Sequence, residues 1–207
     1  MTDSPTIYVV DDDEAVRESL AALLGSLAFQ VETFESGTAF LAALAPEWLG
    51  CLILDIRMPG LSGQQVQQAM TERKHPLPVI FVTGHGDLPM AVKAMKAGAA
   101  DFIEKPFSEE ALMESIEHAL ALNQQSSDGQ DVDTELAQRI DNLTPREREV
   151  LVQVAAGNPN KVIAYELDIS PRTVEVHRAR VIEKMNARNL SHLVRLAIRA
   201  GLLPDDI

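Results

Sequence analysis

Four strand-like segments of this 207-residue chain end on side chains able to do chemistry. Thr6-Ile7-Tyr8-Val9-Val10 stops on Asp11-Asp12, Cys51-Leu52-Ile53-Leu54 on Asp55, Val79-Ile80-Phe81-Val82 on Thr83, and Asp101-Phe102-Ile103-Glu104 on Lys105. If those ends meet, three carboxylates share one crevice, where they repel one another unless a cation intervenes. An oxygen-only ligand set of Asp11, Asp12 and Asp55 suits Mg²⁺, or Mn²⁺ in its place. Phosphoryl transfer needs little more than an in-line nucleophile and positive charge around the moving oxygens. Asp55 would attack, the metal and Lys105 would neutralise charge, and Thr83 would donate a hydrogen bond to a phosphoryl oxygen.

The elements that must position these groups are legible in the apolar pattern. Apolar runs of four or five residues without alternation fit strands covered on both faces, as in a parallel sheet between helices. Between them lie segments with helical spacing: Val16, Leu20, Leu23, Leu24 and Leu27; Phe40, Leu41 and Leu44 behind a capping Ser36; Val66 and Met70 after Gly63; Ala91, Val92, Ala94 and Met95 before Gly98; and Leu112, Ile116 and Leu120 after Ser108. Five such alternations, with Val31 to Phe34 as a further strand, predict a doubly wound α/β domain with a five-stranded parallel sheet of flavodoxin-like type. In such sheets the carboxyl ends of the strands form the ligand-binding edge.

Residues 1–122 form this domain, 123–137 a polar linker that helix can partly occupy, and 138–207 a small all-α domain. Thr144-Pro145-Arg146-Glu147 combines a cap, proline at the first helical position and a glutamate placed for a capping box. A short helix with Val162, Ile163 and Leu167 precedes the turn Asp168-Ile169-Ser170. A longer helix from Pro171 to about Met185 follows, then a last one from Leu190 to Ala200. Two helices around a tight turn, the second rich in arginine, have the outline of a helix-turn-helix.

Charge separates the same two parts. Overall the chain carries -13 at neutral pH, which argues against a nucleic-acid partner until it is divided. Residues 1–137 hold 7 basic and 22 acidic side chains, net -15, whereas residues 138–207 hold 11 and 9, net +2. The single cysteine, Cys51, excludes an internal disulfide. No apolar run approaches the roughly 20 residues of a membrane span, so a cytoplasmic protein without a membrane partner is expected.

Asp11-Asp12, Asp55 with Met58-Pro59-Gly60, Thr83-Gly84 and Lys105-Pro106 together resemble the receiver domain of bacterial two-component response regulators. The likeness spans residues 5–122. It implies a sensor histidine kinase as phosphoryl donor, and metal ligation by Asp12, Asp55 and the backbone carbonyl of Arg57. It also implies a cis Lys105–Pro106 bond and a switch that moves Thr83 and the residue at position 102. Phe102 lacks the hydroxyl often found there, so burial alone must drive its movement. Arg57 and His85 either govern water access or are surface side chains.

Asn160 to Ala164 and Ser170 to His177 resemble the DNA-binding domain of the LuxR/NarL class, over residues 140–203. With Gly84-His85-Gly86-Asp87, the whole chain resembles the FixJ subfamily of transcriptional regulators. That likeness implies double-stranded promoter DNA and RNA polymerase as partners, activation rather than repression, and homodimers formed on phosphorylation. Its only reactions would be metal-dependent self-phosphorylation and autodephosphorylation. If Val174, Val181 and Met185 point inward, Thr173, Glu175, Val176 and Arg180 face a major groove. Lys161, Arg172, Arg178 and Lys184 are placed for phosphate contacts, and His177 reads as a satisfied packing residue. The residues taken alone leave open an aspartyl-phosphate hydrolase, or an adaptor whose helical module binds protein.

Overall fold

The computed structural model describes residues 5–84, 88–122 and 130–202. They form two compact units, one built on a sheet and one entirely helical. The strands β1 (Thr6–Val10), β2 (Gln30–Phe34), β3 (Gly50–Asp55), β4 (Val79–Thr83) and β5 (Asp101–Glu104) pair in parallel in the order β2-β1-β3-β4-β5. They are connected in sequence by α1 (Glu14–Ser26), α2 (Gly37–Ala43), α3 (Gly63–Glu72) and α4 (Leu88–Lys96), and α5 (Glu109–Leu122) follows β5.

The apolar runs are strands because both of their faces are covered. Ile7, Val9, Cys51, Ile53, Ile80, Val82 and Ile103 pack with Leu20 and Leu24 of α1 and with Leu112, Ile116 and Ala119 of α5. The intervening Tyr8, Val10, Leu52, Leu54, Phe81 and Phe102 are buried as well, and the strand period of two sends them to the opposite face. Each fully buried aliphatic side chain of this size contributes about 1.5–3 kcal/mol before the cost of ordering it. The edge strand β2 departs from the pattern: Gln30, Glu32 and Thr33 are exposed. Polar side chains there discourage pairing with another chain.

Helix starts follow side-chain chemistry. Asp13 accepts from the Ala15 N–H at the head of α1 (2.9 Å), and Ser36 from the Ala39 N–H at the head of α2 (3.2 Å). Ser62 and Gln65 close a capping box on α3. Gly63, the first residue of α3, is a place where only glycine fits: a Cβ there would lie 2.3 Å from the Asp55 carbonyl oxygen and 3.0 Å from the Phe81 ring. The close approach lets the Gly63 N–H donate to the Ile56 carbonyl (3.0 Å), which fixes the backbone just beyond Asp55.

The helical unit includes α6 (Gln130–Asp141), α7 (Pro145–Ala155), α8 (Asn160–Glu166), α9 (Pro171–Lys184) and α10 (Leu190–Arg199). Its core unites Leu136 and Ile140 of α6, Val150, Leu151 and Val154 of α7, and Ile163 and Ala164 of α8. Val174 and Val181 of α9, Met185 beyond it, and Leu193 and Ala197 of α10 complete that core. Thr144 and Glu147 form the capping box their spacing predicts, and Ser170 caps α9 ahead of Pro171. Helix α6 begins inside the segment read as a linker, while 123–129 lie outside the described residues. Among the described residues no helix is long and apolar enough to cross a membrane.

Candidate functional site

The sheet order reverses direction between β1 and β3, and at such a switch point diverging loops open a crevice at the carboxyl edge. Val10 and Leu54 are partners in the register, so Asp11 and Asp55, the next residues, emerge side by side on adjacent strands. Strand β5 lies two strands beyond β3, a span of roughly 10 Å that a lysine stem can cross. Lys105 does so. Its Nζ lies 2.9 Å from Asp11 Oδ2 and 3.1 Å from Asp55 Oδ1.

The remaining carboxylate oxygens are also engaged. The Asp13 N–H donates to Asp11 Oδ1 (2.9 Å), and the Arg57 N–H to Asp55 Oδ2 (2.6 Å). Both acids are buried, Asp11 at 4% and Asp55 at 9% exposure. Burial pushes the Asp55 carboxyl above its ordinary range, and the nearby Asp11 charge adds to this. The Lys105 charge and hydrogen bond and the Arg57 N–H oppose the rise without cancelling it. For Lys105, burial alone would lower the ammonium. The hydrogen bond to Asp11 and the charge of Asp55 outweigh it and hold the group above its usual value.

Thr83 ends β4 almost fully buried, and its carbonyl accepts from the Lys105 N–H at 2.8 Å, so these two predicted residues are tied through the main chain. Phe102 is buried in β5, opposite Phe81 of β4. The Lys105–Pro106 bond is cis. Asp12 is exposed, because its neighbour Asp11 takes the inward position. The Arg57 side chain is exposed, and His85 lies outside the described residues. Among the described residues no three carboxylate, histidine or cysteine side chains form a ligand group. Lys105 supplies the counter-charge that holds the two inner acids together. The available donors, Asp11, Asp12, Asp55 and the Arg57 carbonyl, are oxygens only, and that set fits a hard divalent cation. Sequence reasoning missed Arg17, whose Nη1 donates to the Asp11 carbonyl (2.7 Å) and fixes the β1 end from α1. Its only signal was a cation one turn into a helix that starts beside the acids.

In the helical unit α9 turns Val174 and Val181 inward and leaves Arg172, Glu175, Val176 and Arg180 exposed. Lys161 on α8 is exposed too. Three of the other predicted contacts are engaged within the unit. The Thr173 hydroxyl pairs with Ser170 Oγ at 2.8 Å, and Arg178 Nη1 donates to Asn160 Oδ1 at 2.5 Å. Lys184 Nζ donates to Glu147 Oε2 at 2.6 Å and to the Asn142 carbonyl at 3.2 Å. Among the described residues the His177 Nδ1 is buried without a hydrogen-bond partner, so this ring packs with that nitrogen unsatisfied. Glu147, legible in the sequence only as a capping residue, is also a buried acid of this unit. The Lys184 hydrogen bond and the Thr144 N–H lower its carboxyl to about 2 against the opposing effect of burial.

An acid pair bridged by lysine at the switch point of a 2-1-3-4-5 sheet, followed by a helix-turn-helix, defines a receiver domain joined to a DNA-binding domain. Comparison with known proteins agrees. The response regulator receiver domain family matches residues 7–117, and the luxR family of bacterial regulatory proteins matches residues 141–197. The transcriptional regulatory protein FixJ of Bradyrhizobium diazoefficiens is 49% identical over 205 residues, covering 99% of this chain and 100% of that one. FixJ of Rhizobium meliloti is 49% identical over 208 residues, with 99% and 100% covered. The crystal structure of full-length FixJ from B. japonicum is similar at 48% identity and a TM-score of 0.57, with 97% and 98% covered. The chain belongs to the FixJ subfamily of two-component response regulators. It is a phosphorylation-dependent, DNA-binding transcriptional regulator rather than an enzyme in the ordinary sense, and this class implies a kinase and DNA as partners.

Proposed function

We propose that Asp55 is the phosphoacceptor. One of its carboxylate oxygens attacks the phosphorus of a phosphohistidine on a sensor kinase; a P–O bond forms, the P–N bond breaks, and the departing imidazole takes up a proton. The observation that carries this reading is the Lys105 ammonium, 2.9 and 3.1 Å from two carboxylates that lie 94 and 50 positions away in the chain. Burial strips water from Asp55, and Lys105 stands ready to neutralise oxygens that gain charge. The Thr83 hydroxyl donates to the new phosphoryl group, and inward movement of Thr83 and Phe102 reports the event. Asp11, Asp12, Asp55 and the Arg57 carbonyl would hold Mg²⁺, or Mn²⁺, which when bound neutralises phosphoryl charge. The same site supports slow loss of the group to water.

Phosphorylation favours a homodimer that presents two α9 helices to paired half-sites in promoter DNA. Glu175, Val176 and Arg180 read base edges, while Lys161 and Arg172 hold phosphates. Thr173, Arg178 and Lys184 serve mainly within the module. The outcome is activation through RNA polymerase, in the cytoplasm. The receiver extends through residue 122, and the DNA-binding module draws on α6 for its core. The test is incubation with Mg²⁺ and a small phosphodonor, wild type beside Asp55→Asn, read by intact mass and duplex binding. Only the wild type should gain a phosphoryl mass and bind its operator more tightly. An adduct of equal yield in Asp55→Asn would reject the assignment.

A further inference from the structure

Helix α9 closes on a left-handed Asn186 (φ 49°), whose N–H donates to the Glu183 carbonyl (3.0 Å) while the Ala187 N–H donates to Ile182 (2.9 Å). This closure uses up the nearby main-chain donors, so the last carbonyls need others, and the C-terminal end of the helix dipole favours cations. Arg139 of α6 fills that role: its Nη1 donates to the Met185 carbonyl at 3.1 Å. The Nη2 of the same guanidinium lies 2.7 Å from Glu135 Oε1, one turn earlier on α6. Leu136 and Ile140, on either side of Arg139 in sequence, are both in the helical core. The guanidinium is therefore aimed by a docked helix and steered by a neighbouring acid.

We infer that Arg139 is a positioning residue for DNA recognition: it caps α9 from α6, so the tilt of the reading helix is set by the helix that leads into the DNA-binding module. The inference rests on the reading that α9 enters the groove. Fourteen residues make α9 roughly 21 Å long. A tilt of about 5° pivoting at its capped end displaces the N-terminal end by about 2 Å. Base-edge hydrogen bonds tolerate far less than that, whereas phosphate contacts through long flexible cations adapt. Loosening the cap should therefore cost sequence discrimination before it costs general affinity.

The experiment uses the full chain. Duplexes are selected from a random pool by the wild type, and binding to the selected duplex is compared with binding to a scrambled one. Arg139→Gln should weaken the selected duplex roughly tenfold and the scrambled one less than about twofold. Arg139→Lys, which can still donate to Met185, should recover most of the loss. Glu135→Gln, at a side chain 65% exposed, spares the fold and should give an intermediate loss. Thermal melts of all three should stay within about 3 °C of wild type, a readout that separates aim from stability. Equal losses on both duplexes, or no loss in either Arg139→Gln or Glu135→Gln, overturn the inference. If the wild type itself selects no sequence, the assignment of α9 as reading helix fails first and takes this inference with it.

Discussion

Replacing Lys184 with methionine separates two roles that the lysine could play. The structure gives it an internal one: its ammonium lies 2.6 Å from a Glu147 carboxylate that is only 3% exposed, while its own side chain is 35% exposed. The Glu147 carboxyl falls from 4.5 to about 2, which corresponds to about 3 kcal/mol at neutral pH. Solvent reaches the lysine, and the Thr144 N–H contributes part of the drop, so about 2 kcal/mol is the share expected to vanish with Lys184. The sign follows from the lowered carboxyl: the contribution is complete above the unfolded value of 4.5 and is lost as pH falls toward 2. Urea unfolding followed by helical circular dichroism should therefore show Lys184→Met weaker than wild type at pH 7, with the two converging near pH 2. A carbon-13 titration of Glu147 should show its midpoint moving upward. Duplex binding supplies the second reading. Lys184→Met should leave the salt dependence of affinity unchanged, whereas Arg172→Met should reduce its slope by about one. A slope that drops by about one in Lys184→Met, with stability unchanged, would refute the internal clamp and return Lys184 to the phosphate contacts.

Other perturbations test the receiver. Lys105→Met leaves Asp11 and Asp55 buried without their shared cation, so it should cost about 2–4 kcal/mol in a denaturant melt and slow phosphoryl uptake more than a surface Lys93→Met control. Because Asp55 is raised above its ordinary value of 3.8, its charged form is disfavoured in the fold, and its stabilising share is lost as pH rises through the folded value. Asp55→Asn should accordingly melt no lower than wild type at pH 7; a clear drop would contradict this. Gly63→Ala drives a methyl into the Asp55 carbonyl and should both destabilise the sheet unit by about 1–3 kcal/mol and lower the phosphorylation rate; a normal rate in a stable variant would show that the α3 approach does not set the Asp55 backbone.

The site was legible because its members terminate recognisable strands. Continuous burial on both faces leaves β1, β3 and β4 without the polar alternation of a half-exposed strand, and a parallel sheet then gathers their ends. Local chemistry was equally readable: the Thr144 and Glu147 spacing produced its capping box. What the linear order hides is which of two adjacent groups turns inward. Asp11 and Asp12 are alike as sequence, yet only Asp11 faces Lys105. Nor does order reveal a second partner. Glu147 reads as a capping residue, and only the crossing of α7 with α9 brings Lys184, 37 positions away, to the same oxygen that accepts from the Thr144 N–H. Helix α6 escaped in part because Leu136 and Ile140, one turn apart, are its main apolar marks in a polar stretch.

The link between Asp11 and Lys105 spans 94 positions and joins the first strand to the last. Closing a loop of that length costs about 4 kcal/mol of chain entropy, only modestly more than a loop of half the length. A nascent chain that still lacks β5 carries both acids without the lysine that pairs them in the finished fold. On the proposed role of Asp55 and Lys105, a truncated product ending before β5 should take up no phosphoryl group and be silent rather than partly active.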